Sequence, residues 1–232
     1  MQRIVVVGAG QAGASCVAKL RAEGFTGAIT LIGEEHAPPY QRPPLSKAYL
    51  LGDMALERLY LRPMEYYAEA GIDLMLDTTV QAIDRTDQRV IASGHAIAYD
   101  ALVLATGSVP RRLPASIGGN LDGVHVVRTL KDVDDMAPEI VPGRRALIVG
   151  GGYIGLEAAA VCRKKGLDVT LIEMADRILA RVACPETSGW FRALHESHGV
   201  KVLEGVGLTC LNGVDGKVVG AILSDMSEHP YD

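Results

Sequence analysis

One pattern occurs twice in this chain and limits its fold more than any other feature. Gly8-Ala9-Gly10-Gln11-Ala12-Gly13 follows the β-branched run Arg3-Ile4-Val5-Val6-Val7, and Gly150-Gly151-Gly152-Tyr153-Ile154-Gly155 follows Arg145-Ala146-Leu147-Ile148-Val149. A helix-like stretch succeeds each loop, then a second strand, 28–32 or 168–172, and then an acidic residue, Glu34 or Glu173. A lone GxGxxG says little. Strand, loop, helix, strand and acid in order, twice, is the fingerprint of a dinucleotide-binding unit. Gly8 and Gly150 permit the tight turn, Gly10 and Gly152 let the backbone approach a pyrophosphate, and Gly13 and Gly155 let the helix lie against the strand. The free N–H groups and positive dipole end of each helix suit phosphate. Glu34 and Glu173 can accept hydrogen bonds from an adenosine ribose diol; the other reading of either is a solvated strand end. A carboxylate at 173 repels a ribose 2′-phosphate and no Arg follows at once. Arg177 comes a short loop later. NADH is therefore expected over NADPH.

The fold class expected is α/β: two Rossmann-like units with small antiparallel β meanders. Residues 1–112 read as the N-terminal part of the first unit, 113–124 as a Pro-, Gly-, Ser- and Asn-rich linker, and 125–232 as the second unit. Helices are expected near 63–70, 156–166 and 186–198. Strand-like runs at 72–76, 78–84, 88–92 and 95–99 read as one antiparallel meander, and 200–212 with 217–223 as hairpin-like. The first unit closes with Tyr99-Asp100 and the buried strand Leu102–Ala105; the second reaches Tyr231-Asp232. By this internal comparison a strand is expected to follow Asp232, and the second unit reads as incomplete at its C-terminus; the other reading is a chance match in a tail.

Composition removes other classes. Formal net charge is −5, which excludes a basic nucleic-acid surface as the main purpose. No apolar run approaches the roughly 18 residues of a membrane span. Met1-Gln2-Arg3 leads straight into the first strand without a leader pattern, so a soluble, cytoplasmic protein is expected. Cys16, Cys162, Cys184 and Cys210 are far apart, with no CxxC or CxxxxC pair, which speaks against a disulfide framework, a zinc site or a redox dithiol. His195 and His198 lie three apart on a helix without a third ligand and read as a solvated face, so no metal is expected. Two adjacent dinucleotide sites imply chemistry between two dinucleotides, most simply hydride transfer between a nicotinamide nucleotide and FAD.

The order GAGQAG, YQRPPLSKAYL, LATGS, RTL, GGGYIGLE resembles the FAD-dependent pyridine-nucleotide oxidoreductases over essentially the whole chain. RPPLSK is similar to the ferredoxin-reductase branch, which serves [2Fe–2S] ferredoxins of cytochrome P450 and ring-hydroxylating dioxygenase systems. The resemblance implies that NADH reduces FAD and that electrons then pass singly to the redoxin. It places Gly8, Gly10, Ala12 and Gly13 at the FAD pyrophosphate, Glu34 at its ribose, Arg42 and Lys47 on FAD, and the Val80 backbone at the adenine. Thr106 and Gly107 fall beside the cofactor, and Arg128 at a further FAD contact. Gly150, Gly152, Gly155 and Glu173 fall at the NADH site, with Glu157 near the nicotinamide and able to pair with Lys47. The later segments of the family, including a second FAD motif and a C-terminal interface domain, are missing here. A non-catalytic dinucleotide-binding fragment, or a relative with another acceptor such as rubredoxin, is the alternative.

Lys47 and Glu157 are the residues expected to carry catalysis. A lysine by the flavin would offset negative charge there, and Glu157 would partner it; spacing alone reads Lys47 as a surface lysine in a Pro-rich loop. Tyr153 reads either as a cover over the flavin that nicotinamide displaces or as a core aromatic at a helix start.

Overall fold

The computed structural model describes residues 2–231. Asp232, and so the junction where a further strand was expected, lies outside the described residues. In chain order the elements are β1 (Arg3–Val7), α1 (Gln11–Ala22), β2 (Ala28–Ile32), α2 (Ala48–Leu51), α3 (Met64–Glu69), β3 (Ile72–Met75), β4 (Val80–Asp84), β5 (Arg89–Ala92), β6 (His95–Ala98) and β7 (Ala101–Leu104). There follow α4 (Leu130–Met136), β8 (Arg145–Val149), α5 (Tyr153–Lys164), β9 (Asp168–Glu173), α6 (Pro185–Ser197), β10 (Val200–Glu204), β11 (Leu208–Val214), β12 (Lys217–Leu223) and β13 (Glu228–Pro230). The chain divides into two compact units, residues 1–42 with 54–109, and residues 43–53 with 110–232.

The first unit is a parallel sheet in the order β3-β2-β1-β7, with a separate antiparallel sheet β4-β5-β6. The run Ile4-Val5-Val6-Val7 is apolar throughout because both faces of β1 are covered. Ile4 and Val6 pack with Val17 of α1 and Tyr67 of α3, while Val5 and Val7 pack with Val90 and Ala92 of the meander. The start of β1 is tied to the turn before β7: Asp100 accepts from the Gln2 and Arg3 amides at 2.6 and 3.0 Å and from the Arg3 guanidinium at 3.0 Å. These bonds, the Gln2 amide first, hold its carboxyl down to about 2.

The second unit repeats the plan with a parallel sheet β10-β9-β8 and an antiparallel sheet β11-β12-β13. Leu156, Ala159 and Cys162 of α5 pack on Val169 and Leu171, and Ile172 packs with Ala221 and Leu223 on the opposite side. Among the described residues β8 bonds to β9 alone, whereas β1 has β2 and β7 on its two sides.

Four sequence expectations change. Residues 72–75 are not part of the meander: β3 runs parallel to β2, Ile29 opposite Ile72, because α3 carries the chain back across the sheet and Ile72 is buried against it. The stretch 200–212 is likewise not one arm of a hairpin. β10 is parallel to β9, and β11 alone pairs with β12. The segment read as a linker packs on that hairpin, with an Asp122–Lys217 bridge and Gly118 against Leu211. Residues 43–53, expected with the first unit, belong to the second, where the single 3-10 turn Pro43–Ser46 meets α4 and α5.

The two units also align their strand ends differently. Val7 lies opposite Ile32, and Val149 opposite Ile172, so Gly33 and Glu173 occupy matching positions. A Cβ on Gly33 would stand 2.5 Å from the Ala9 Cβ, and a Cβ on Gly151 would stand 3.2 Å from the Glu173 Cβ. Ala9 therefore requires glycine at 33, whereas glycine at 151 is required first by Ile178, whose Cγ2 would stand 2.5 Å from that Cβ, with Glu173 a further tight neighbour. The first unit accordingly carries its acid one residue later. Gly33→Ala should cost about 1–3 kcal/mol by overpacking, and most of that should return when Ala9→Gly is added. Denaturant titration of the four-member cycle checks this, with additive losses as the contrary result.

Candidate functional site

Each glycine loop contains one glycine that the fold does not explain. Gly8 and Gly150 have φ of +112° and +108°, a region costly for residues with a Cβ. A Cβ on Gly13 would lie 2.0 Å from the Gly8 carbonyl oxygen, and one on Gly155 equally close to that of Gly150. These four are dictated from within. Gly10 and Gly152 have φ of −85° and −81°, and a Cβ on either would meet nothing within 4 Å. They stand at the N-caps of the twelve-residue helices α1 and α5, with no side-chain cap and no acid in the first turn. Uncapped amides, a positive dipole end and open space beside a bare Cα form a cradle that suits a pyrophosphate. Ala12, in the first turn of α1, is exposed.

The acidic residues behave differently in the two units. Glu173 is held: its Oε2 accepts from the Gly151 amide at 2.8 Å and its Oε1 from the Ala175 amide at 2.9 Å. Glu34 is exposed. Its neighbour Glu35, not singled out from the sequence, is the engaged carboxylate, accepting from Tyr40 Oη and from Arg42, each at 2.5 Å. Arg42 also donates to Tyr40 Oη at 3.2 Å and lies 5.2 Å from the Tyr40 ring centre. A paired acid followed by Tyr and Arg at five and seven residues was the available signal.

The segment 43–53 and α5 bring Lys47 and Glu157 together within the second unit. Lys47 Nζ lies 2.7 Å from Glu157 Oε2 and donates to the Pro43 carbonyl at 3.1 Å. Ser46 donates to the same glutamate oxygen at 2.5 Å. Ser46 is buried while about half of the Lys47 side chain is accessible. The ammonium is thus fixed from behind and open in front. Ser46 was missed because a hydroxyl beside a motif lysine has no pattern of its own.

The remaining expected positions are less concentrated. Val80 begins β4 opposite Ala92. The Ala105–Thr106 peptide abuts Gly8, and Thr106 and Gly107 are exposed, Gly107 with φ +68°. Arg128 precedes the N-cap Thr129 of α4, and its amide bonds Asp132 at 3.2 Å. Tyr153 is 57% exposed, which removes the core reading. Among the described residues no His, Cys, Asp or Glu group could hold a metal. The four cysteines are free, and burial pushes the Cys162 thiol up. Among the described residues no helix is long and apolar enough to cross a membrane.

Comparison with known proteins follows the same lines. A family model described as pyridine nucleotide-disulphide oxidoreductase matches residues 2–232. Rhodocoxin reductase of Rhodococcus erythropolis is 45% identical over 218 residues, 94% of this chain and 51% of that protein. A rubredoxin-NAD(+) reductase of Pseudomonas putida is 38% identical over 222 residues, 95% of this chain and 57% of that protein. The reductase in a crystal structure of the covalent putidaredoxin reductase–putidaredoxin complex superposes with a TM-score of 0.97 at 40% identity, covering 100% of this chain and 57% of its own. The chain spans about half the length of the curated relatives it matches.

The two kinds of glycine should separate experimentally. Gly155→Ala should lose about 1–3 kcal/mol of stability. Gly152→Ala should lose less than about 1 kcal/mol yet weaken nucleotide binding roughly tenfold or more. Denaturation and calorimetric titration with ADP check both. Unchanged affinity in Gly152→Ala would contradict the cradle.

Proposed function

We propose that this chain, which belongs to the pyridine nucleotide-disulphide oxidoreductase family, is the dinucleotide-binding portion of an NADH-dependent FAD flavoprotein that reduces a [2Fe–2S] ferredoxin. The ferredoxin in turn supplies a cytochrome P450 or a ring-hydroxylating oxygenase. The observation that carries the reading is the pair Gly10 and Gly152, whose lack of a side chain answers to nothing inside the protein. Two such loops call for two dinucleotides. Bound FAD would supply two-electron acceptance from NADH and one-electron release to an iron–sulfur protein.

The residues each have a part in this reading. Gly8, Gly10, Ala12 and Gly13 hold the FAD pyrophosphate on the N-terminus of α1, with Arg42 set by Glu35 and Tyr40. Glu34 meets the FAD ribose, Val80 the adenine, and Thr106, Gly107 and Arg128 the rest of the cofactor. Gly150, Gly152 and Gly155 hold the NADH pyrophosphate, and Glu173 its adenosine ribose. Lys47 presents a fixed positive charge to the flavin, with Glu157 and Ser46 preventing it from swinging away. Tyr153, exposed at the start of α5, covers the flavin until nicotinamide arrives.

A second reading keeps the chemistry and changes the acceptor to rubredoxin, favoured by the likeness to a rubredoxin-NAD(+) reductase. Turnover with each redoxin separates the two. For the reading as a whole, the purified protein should show a flavin spectrum that bleaches on anaerobic addition of NADH; a colourless protein binding neither nucleotide would refute it. Lys47→Ala should slow flavin reduction at least tenfold, about 1.4 kcal/mol of barrier. Stopped-flow absorbance measures this, and an unchanged rate removes Lys47 from the chemistry.

A further inference from the structure

The loop after Glu173 carries two arginines, Arg177 and Arg181, close in sequence to the carboxylate that meets the adenosine ribose. A cation there is what a 2′-phosphate would need. The structure commits Arg177 elsewhere. Its Nη1 donates to Ser188 Oγ at 2.6 Å and its Nη2 to the Ala180 carbonyl at 3.2 Å. Ser188 is 2% exposed in the second turn of α6, and its hydroxyl donates onward to the Ile178 carbonyl at 2.7 Å. One hydroxyl therefore accepts from the guanidinium and donates to the loop, using both of its capacities.

The same loop is fixed at its other contacts. The Ile178 amide donates to Glu204 at 2.9 Å, the Leu179 amide to the Gly151 carbonyl at 2.9 Å, and Leu179 holds φ at +54° while buried. Ile178 sits where a Cβ on Gly151 would be. Arg177 is thus an internal strut of a loop clamped onto the glycine turn. Glu173, bonded to the Gly151 and Ala175 amides, remains the only group of the pair turned to the nucleotide turn.

We propose that Ser188 is a selectivity-positioning residue: by holding Arg177 as a strut it withholds the guanidinium from a ribose 2′-phosphate and so reinforces the choice of a 2′-hydroxyl nucleotide that Glu173 makes. Two elements then guard selectivity, a carboxylate that repels and a latch that withholds the attracting charge. Removing the carboxylate alone leaves the cation locked. Removing both frees Arg177 to form a charge-assisted bond to the phosphate.

The inference rests on the second glycine loop being a nucleotide site, and ADP tests that separately. Calorimetry is run on the full chain with ADP and with adenosine 2′,5′-bisphosphate. Glu173→Ala should bind the 2′-phosphorylated probe only slightly better than the unaltered chain. Adding Ser188→Ala should tighten it about tenfold more, with ADP affinity the same as in Glu173→Ala alone. Arg177→Met in that background should abolish the gain, and Arg181→Met should not. A gain absent, or one dependent on Arg181, overturns the role of Ser188 while ADP binding stands. Failure of the unaltered chain to bind ADP overturns the nucleotide reading and this inference with it. Should the Ser188 variant melt below the assay temperature, Arg177→Met is placed in Glu173→Ala with Ser188 intact. Unchanged affinity for the 2′-phosphorylated probe then supports the latch, and weakened affinity overturns it.

Discussion

Both units depend on one close approach, the helix backbone resting on the carbonyl of the first glycine of its own loop. At Gly13 over Gly8, and at Gly155 over Gly150, the space left for a Cβ is 2.0 Å, well inside any tolerable contact. This approach starts the helix directly above the end of the strand, so its first amides face outward at the sheet's edge. Gly10 and Gly152 lie one turn away and are free of such demands. Their glycine character therefore points to something that the protein itself does not contain.

The parts of the fold read correctly from the sequence are those governed by local chemistry. Ile4–Val7 announces a buried strand because a β-branched run fits a sheet covered on both faces; 145–149 is a strand as read, though only half-buried with Val149 exposed, and the helices after the loops follow from the glycine turns that start them. What the sequence misplaces is governed by partners distant along the chain. Ile72 and Val200 begin short strands that pair in parallel across a helix, and a short apolar run carries no mark of its partner. No local signal tells that residues 43–53 join the second unit.

The candidate site divides in the same way. Lys47 and Glu157 are 110 positions apart, and their proximity was expected only through family resemblance; the 2.7 Å contact is a fact of the fold. Ser46, sharing the same carboxylate oxygen, was invisible beforehand. The acids show why repetition misleads. Glu34 and Glu173 look equivalent in sequence, but the exchange of Ala9 and Gly33 for Gly151 and Glu173 shifts one of them by a residue. The second carboxylate is then anchored to its glycine loop, while in the first unit the anchored carboxylate is Glu35, set to hold Arg42.

The central claim is that the chain carries two separate dinucleotide sites, one per glycine loop. Titration of the full chain with FAD and then with NAD⁺, followed by calorimetry, tests it most directly. One equivalent of each is expected to bind, with neither displacing the other. A single site for which the two compete, or no binding of either, would contradict it.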